Sequence, residues 1–327
     1  DPHRYLNDMR DFLAWRRAEA VLLAEANITN DQIDEYFGPT GDRMHMIFNF
    51  MLNQHVFLAF ARGDAEPIRR VMREQPPLPK KSQWASFLRN HDELDLGRLS
   101  QSERAEAFAA FGPEKHMQIY ERGIRRRLAP MLTGDEWRLK LAFSLMLALP
   151  GTPMIWYGEE LGMGDDLSQP ERNSVRTPMQ WSDEPHAGFS TAAPDKLVRP
   201  VVTDPRFDYR RVNVAAQRDV PGSLMEHVQR AIRTRRACPE IGWGETQVLE
   251  TADSSVLVLR YDWRGKTIVT VHNLADRRVK VPLQLEGVSQ LRPIFCNNDE
   301  REMRGAGAPV VLDPYGFRWF RAHGERR

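Results

Sequence analysis

The sequence has little of what marks secreted or nucleic-acid-binding proteins. Its 327 residues include only two cysteines, Cys238 and Cys296, which cannot form a disulfide framework and do not stand at metal-ligand spacing. It also has almost no surplus charge, because 46 Lys and Arg residues oppose 45 Asp and Glu residues. A protein that neutralises a run of phosphates needs a basic surplus, so we expect no nucleic-acid partner. The cysteine usage predicts a reducing compartment and therefore a cytoplasmic location.

The sequence also lacks a hydrophobic run long enough for a membrane span. The longest apolar stretch covers residues 141–157 and contains Pro150 and Pro153. A membrane helix needs roughly 20 apolar residues, so no membrane association is expected. No charged and then apolar leader opens the chain, which predicts no signal peptide. Apolar residues still make up 41% of the sequence, enough for a hydrophobic core.

Four segments share one plan, a short apolar run that ends in polar or small residues. They cover residues 20–24, 44–50, 84–88 and 153–157. Apolar runs without alternation are typical of strands buried on both faces of a parallel sheet. Helical patterns precede or separate these runs, and that alternation predicts βα units. The units could form half of an eight-stranded barrel or a flavodoxin-like sheet, but the sequence lacks the phosphate loop or switch-point glycines of the latter.

The predicted helices and loops set the remaining organisation. Residues 164–219 are polar and turn-rich, which indicates a functional or disordered loop. Beyond Trp243, short strand candidates with turn residues between them predict a small antiparallel β-sandwich. The predicted domains are therefore 1–243 and 244–327. The predicted helices cover residues 5–16, 56–74, 104–111, 135–149 and 223–237.

Polar residues at two of the predicted strand ends are candidates for chemistry. Glu25 follows the first apolar run, where partial desolvation would raise its pKa and suit it to general acid catalysis. Taken by itself, a glutamate at this position is more often a helix-start acid or a salt-bridge partner. Five polar residues, 89–93, follow the third run, and burying them is costly unless they serve a ligand or a hydrogen-bond network. A solvated loop before a capped helix is the alternative for this segment.

A metal site is not expected at these strand ends. His91 is the histidine of the 89–93 segment, and an imidazole can bind a metal ion. No second His or Cys stands at ligand spacing from it. We therefore predict no metal ligands in this chain.

Several segments resemble motifs of glycoside hydrolase family 13, the α-amylase family. They are Leu-Leu-Ala-Glu-Ala-Asn at 22–27, Phe-Leu-Arg-Asn-His-Asp-Glu at 87–93, residues 151–160, Arg-Thr-Pro-Met-Gln-Trp at 176–181, and residues 313–320 near the end of the chain. They occur in the order that the family shows. Within the family, the likeness is closest to trehalose synthases and related α-glucosidases.

This resemblance implies the fold class. The chain would be the C-terminal half of a (β/α)8 TIM barrel followed by a small antiparallel β-sandwich. Residues 1–243 would hold barrel strands five to eight with their helices, and residues 244–327 would hold the C-terminal sandwich. Barrel enzymes place their chemistry at the carboxyl ends of the strands.

The resemblance also implies roles for six residues. An oxocarbenium-like transition state needs carboxylates around the scissile bond and hydroxyl contacts that strengthen as the ring flattens. The expected roles are Glu25 as general acid/base, Asp92 as the third catalytic carboxylate, His91 as a sugar-binding neighbour, Asn27 and Glu93 as holders of a second glucose, and Arg176 as an arginine from the loop after strand eight.

The chain departs from the family pattern at the nucleophile. The family carries a nucleophilic aspartate after strand four, some tens of residues before the acid/base. Only 24 residues precede Glu25, and none shows that motif. The calcium ligands of the family would also lie upstream, so we expect no cofactor in this chain. The resemblance therefore implies that the enzyme is active in complete form and that the chain as given is inactive.

The expected activity is α-retaining glucosyl transfer on small α-glucosides, in the form of maltose and trehalose interconversion. A second departure bears on this expectation, because Gly97 stands where trehalose synthases usually carry a second acidic residue. The alternatives are a hydrolytic α-glucosidase or α-amylase-type glycosidase, and an inert sugar-binding fragment. The sequence allows a homo-oligomer and does not decide the oligomeric state.

Overall fold

The computed structural model describes residues 3–297, 304–305 and 307–324. Short strands alternate with helices over the first part of the chain, and strands dominate after Trp243. Within the described residues, no helix is both long and apolar enough to cross a membrane. The helices are α1 Arg4–Arg16, α2 Ile33–Phe37, α3 Phe50–Arg62, α4 Glu66–Glu74, α5 Gln101–Phe111, α6 Leu128–Met131, α7 Glu136–Ala148, α8 Val214–Gln217, α9 Leu224–Arg236 and α10 Glu240–Trp243. The strands are β1 Leu23–Ala24, β2 Met46–Phe48, β3 Gln83–Phe87, β4 Leu94–Asp95, β5 Gln118–Ile119, β6 Gly123–Ile124, β7 Thr152–Met154, β8 Glu245–Leu249, β9 Val256–Trp263, β10 Lys266–Asn273, β11 Val279–Val281, β12 Gln290–Cys296, β13 Arg304–Gly305, β14 Val310–Leu312 and β15 Phe317–His323.

The four predicted apolar runs form one parallel sheet. Its strand order is β1-β2-β3-β7, and each neighbouring pair is parallel. Parallel strands have their carboxyl ends at the same edge of a sheet, so the residues that follow β1, β3 and β7 come together there. In the 327-residue chain, β1 lies at one edge of this four-stranded sheet and Leu23 is 37% exposed. The expected burial of this strand on both faces stays a prediction.

The segment predicted as one helix over residues 56–74 is two helices. Gly63 ends α3 in the left-handed conformation, with φ of 63°. Glycine adopts this conformation without the steric cost that a Cβ brings. The second helix, α4, has Pro67 in its first turn, where the missing N–H of proline is tolerated. The periodicity of the apolar residues continues through the break, which is why the pattern indicated a single helix.

The loop over residues 164–219 is packed onto the barrel side of the molecule. Short 3-10 turns at Glu171–Val175, Pro185–Gly188 and Pro194–Lys196 organise it. Ser174 is buried, and its hydroxyl donates a hydrogen bond of 2.7 Å to the Arg125 carbonyl oxygen. This packing fixes the position of the arginines that flank Ser174.

The second part of the chain is an antiparallel sandwich. Six strands pair in the order β13-β12-β15-β10-β9-β8, and β11 pairs with β14. Side chains alternate between the two faces of the large sheet. One face of the large sheet packs against the barrel helices, and the other packs against β11 and β14. Barrel-facing residues include Leu257, Leu259, Tyr261, Phe317 and Trp319, and those of the opposite face include Val256, Val258, Val269, Val271 and Phe320.

A buried polar contact joins the barrel helices to the sandwich. The Trp319 indole N–H donates to the Ser144 hydroxyl at 2.9 Å, and that hydroxyl lies 3.0 Å from His272 Nε2. Since the indole can only donate, Ser144 is free to donate its own proton to a neutral His272. Burial lowers the pKa of His272 to about 3, against the opposing effect of the Ser144 hydrogen bond. Burial also lowers the pKa of His227 to about 3.

The stability of the fold should fall between pH 6 and pH 5, in part through His272. An unfolded histidine binds a proton near pH 6.5, whereas His272 in the native chain stays neutral down to about pH 3. Its contribution is therefore complete above pH 6.5 and lost as the pH falls, at about 1.4 kcal/mol per pH unit. We expect His272→Gln to reduce the pH slope of the unfolding free energy by about that amount.

Urea unfolding at pH 6.0, 5.5 and 5.0 measures this slope. His116→Gln is the matched control, because the His116 side chain is exposed. It should keep the slope of the parent chain. An unchanged slope in His272→Gln would show that His272 is protonated in the native state.

Candidate active site

The chain bends sharply where it leaves β3, and buried amides hold the bend. The Asn53 side-chain amide donates to the carbonyl oxygens of Phe87 and Leu88 at 2.7 and 3.0 Å. Two residues on, the Asn90 side-chain oxygen accepts from the Asp92 backbone N–H at 3.1 Å. Such a side-chain-to-backbone bond stabilises a turn. The turn presents His91 and Asp92 at the edge where β1 also ends.

Arg89 anchors the same turn from below. Its guanidinium is fully buried and donates to the carbonyl oxygens of Arg126 and Asp92 at 2.8 and 2.6 Å. Burial lowers the pKa of Arg89 to about 10, so the group remains cationic at neutral pH. The dense polar segment after β3 is therefore a hydrogen-bonded network and not a solvated loop.

The structure brings Glu25, His91 and Asp92 together. His91 Nε2 lies 3.4 Å from Glu25 Oε1 and 3.7 Å from Asp92 Oδ1. The His91 ring also lies beside the Trp156 ring, with 5.8 Å between the centroids. An imidazole between two carboxylates can hydrogen-bond either of them or a ligand hydroxyl.

The Glu25 side chain is 42% exposed in the 327-residue chain. It is therefore partly shielded from solvent, and the expected effect of this desolvation on catalysis stays a prediction. The carboxyl is accessible to a ligand from solution. Its expected role as general acid/base stays a prediction.

Two arginines hold Asp92. Arg176 donates to Asp92 Oδ1 and, through Nε, to the His91 carbonyl oxygen at 2.8 Å. Arg172 Nη1 lies 3.1 Å from Asp92 Oδ2. Each oxygen of the Asp92 carboxylate therefore faces a guanidinium, which fixes its orientation.

Arg172 also pairs with Glu93. Its Nε and Nη2 donate to the two Glu93 carboxylate oxygens at 2.6 and 3.1 Å. The Glu93 side chain is only 3% exposed, and its hydrogen bond raises the pKa of Arg172. Gly123 makes room for it, since a Cβ at that position would lie 2.5 Å from the Glu93 Cγ. The carboxylate of Glu93 is thus occupied by Arg172, and its expected contact with a second sugar stays a prediction.

Arg172 is the site residue that the sequence reasoning missed. It stands four residues before Arg176, within the loop expected to be functional. That position was the available signal. Nothing in the sequence spacing places it beside Glu93, which is 79 residues away along the chain.

Asn27 belongs to a neighbouring group of polar residues. Its side-chain amide donates to Asp95 Oδ2 at 3.1 Å, and its side-chain oxygen accepts from Arg98 Nε at 3.3 Å. Asp95 also pairs with Arg122 at 3.4 Å. These bonds run to Asp95 and Arg98 rather than to the group of Glu25, His91 and Asp92.

The geometry also bears on metal binding. One ligand atom each from Glu25, His91 and Asp92 lies within 4.8 Å of the other two. That donor set could suit a divalent cation. The Asp92 carboxylate, however, is already paired with the guanidinium groups of Arg172 and Arg176. The expected absence of a metal in this chain stays a prediction.

Comparisons with known proteins find two family domains in the chain. The α-amylase catalytic domain matches residues 125–244, and the sucrose hydrolase-like C-terminal domain matches residues 265–321. The trehalose synthase/amylase TreS of Mycobacterium tuberculosis is 37% identical over 328 residues, covering 98% of this chain and 54% of its own length. The trehalose synthase of Thermus thermophilus is 38% identical over 303 residues, covering 92% of this chain and 31% of its own length.

The fold has close counterparts among solved structures. The α-amylase from H. orenii superposes with a TM-score of 0.68 at 18% identity, covering 98% of this chain and 57% of the other. This likeness confirms the predicted fold class, the C-terminal half of a (β/α)8 barrel followed by an antiparallel β-sandwich. The chain spans about half the length of the M. tuberculosis relative.

The Arg172–Glu93 pair should be a measurable source of stability. Arg172→Gln leaves the buried Glu93 carboxylate without its cation, and we expect a loss of about 2 kcal/mol in unfolding free energy. Adding Glu93→Gln should recover most of this loss, because two amides can hydrogen-bond without a buried charge. Urea unfolding of the single and double variants at pH 7 measures both values.

The matched control is Arg122→Gln, which breaks the partly exposed pair with Asp95. Such surface pairs contribute about 0.5 kcal/mol. A double variant as unstable as Arg172→Gln alone would contradict the pairing as described.

Proposed function

Because the chain belongs to the α-amylase family of glycoside hydrolases, we propose that it provides catalytic groups for α-retaining glucosyl transfer on α-linked glucosides. The finer proposal is a trehalose synthase-like interconversion of maltose and trehalose by an intramolecular glucosyl shift. Relatives at 37% and 38% identity bear the name trehalose synthase, which supports it. The observation that carries the proposal is the placement of Asp92, held by two arginines, beside His91 and the accessible Glu25.

Glu25 acts as general acid and then as general base. Its carboxyl is open to solvent and 3.4 Å from His91 Nε2, so it can reach the oxygen between two sugars. It protonates that oxygen as the bond breaks. It then removes a proton from the hydroxyl that attacks the glycosyl intermediate, which water or a retained glucose can supply.

Asp92 stabilises the positive charge that develops on the sugar ring. Both of its oxygens face guanidinium groups, so the carboxylate is held in place. Because Asp92 matches the third catalytic carboxylate of the family and not the nucleophile, the nucleophile of the α-retaining reaction is another carboxylate. We propose accordingly that the 327-residue chain by itself does not turn over α-glucosides, and that no cofactor acts within it.

His91, Arg176, Asn27 and Glu93 complete the proposed substrate contacts. His91 and Arg176 lie next to Asp92 and would hold the sugar that is transferred. Asn27 and Glu93 would hold the second glucose. Asn27 would do so from its place beside Asp95, and Glu93 would act through Arg172. A second sugar that stays bound can be re-attacked, which is what separates an isomerase from a hydrolase.

A hydrolytic α-glucosidase is the second candidate, and Gly97 favours it. Gly97 is exposed, and it offers no carboxylate to a second glucose. Retained hydrogen bonds to a charged group contribute about 1.5–3 kcal/mol each, so one lost contact raises glucose escape about tenfold or more. Chromatography of the products from maltose at low conversion separates the candidates, since trehalose indicates the isomerase and glucose alone the hydrolase.

Replacing Glu25 by glutamine tests the proposed acid. In an enzyme preparation with activity on maltose, Glu25→Gln should lower the rate on maltose by about 10²–10⁴-fold. The rate on α-glucosyl fluoride should fall far less in the first step, because fluoride leaves with little help from an acid. Initial rates on the two substrates give the comparison.

Glu19→Gln is the control, because Glu19 is an exposed carboxylate outside the site. It should leave both rates near those of the parent enzyme. Equal losses on maltose and on the fluoride in Glu25→Gln would rule out Glu25 as the acid.

A further inference from the structure

A tyrosine occupies a turn position that proteins normally give to glycine or asparagine. Strands β5 and β6 form a hairpin in which Ile119 pairs with Gly123. Two successive residues of the connecting turn, Tyr120 and Glu121, have φ of 53° and 58°. This left-handed conformation is unfavourable for bulky side chains and clusters at functional sites.

Few contacts within the fold compensate for the strain at Tyr120. Its side chain is 44% exposed, so it adds little to the core. Within the described part of the chain, the Tyr120 hydroxyl has no hydrogen-bond partner. The contact that the ring does make is with Arg172, whose Cζ lies 5.4 Å from the ring centroid.

Arg172 links this ring to the catalytic carboxylates. Three of the five N–H groups that a guanidinium carries are directed at Glu93 and Asp92. Among the residues that the structure describes, the other two N–H groups have no hydrogen-bond partner, and the side chain is 35% exposed. Tyr120 and Arg172 thus present a partly exposed aromatic ring and N–H donors next to Asp92.

We propose that Tyr120 and Arg172 form a platform that holds the second glucose ring; this proposal rests on the proposed function. The C–H face of a pyranose packs on an aromatic ring, and the hydroxyl groups at its rim accept hydrogen bonds from a guanidinium. Tyr120 contacts the sugar, whereas Glu93 is a positioning residue that holds Arg172 in place. The strained turn holds the Tyr120 ring at the position of the sugar that is released when the glycosidic bond breaks.

Glucose binding to the 327-residue chain tests the platform without turnover. Saturation-transfer NMR with free glucose as the probe compares the parent chain with Tyr120→Gly and Tyr120→Phe. Saturation of the glucose C–H protons should fall about fivefold in Tyr120→Gly, as expected when one aromatic contact is lost. Tyr120→Phe keeps the ring and should retain the parent signal.

Thermal unfolding shows whether the glycine variant folds. Glycine adopts the left-handed conformation without strain, so Tyr120→Gly should melt at the parent temperature or about 1–2 °C above it. Weaker glucose binding in an equally stable or more stable chain assigns the loss to the ring. A purely structural role for Tyr120 predicts the opposite, a lower melting temperature with unchanged binding.

The outcomes separate this proposal from the proposed function. Equal saturation in the parent and Tyr120→Gly, or no saturation in the parent, overturns the platform. A loss in Tyr120→Phe as large as in Tyr120→Gly overturns the role of the ring. A third outcome is glucose binding that depends on Tyr120, together with an enzyme preparation that transfers no glucosyl group from maltose. This outcome would overturn the proposed function but would support the platform.

Discussion

The ion pairs between one loop and the end of one strand hold the site together. Arg172 and Arg176 both come from the loop over residues 164–219, and they bind Asp92 and Glu93 after β3. These side chains carry three carboxylate–guanidinium contacts in a partly buried place, where such contacts are stronger than at the surface. If the loop moved, Asp92 would lose its orientation and Glu93 would be left buried without a partner.

The rest of the fold positions these two partners. The parallel sheet brings the ends of β1 and β3 to one edge, which places Glu25 beside His91. The burial of Ser174 fixes the loop between the two arginines. The sandwich packs on α7 and α9 from the other side, through the contact of Ser144 with His272 and Trp319.

Much of this fold follows from local patterns. Apolar runs of five or so residues, and short strand candidates separated by turn residues beyond Trp243, depend on neighbours in sequence. These patterns predicted the parallel strands and the sandwich correctly. The pairing of Arg172 with Glu93 joins residues 79 positions apart, and no spacing rule connects them. Gly63 and Pro67 indicate the break between α3 and α4, but the periodicity of the apolar residues continues across it.

The central claim is that Asp92 is a fixed stabilising charge and not the nucleophile. A 5-fluoro-α-glucosyl fluoride traps the covalent intermediate of an α-retaining enzyme on its nucleophile, and intact-mass spectrometry detects the added sugar. Our account predicts that the mass of the 327-residue chain stays unchanged after incubation with this reagent. A sugar adduct that maps to Asp92 would contradict it.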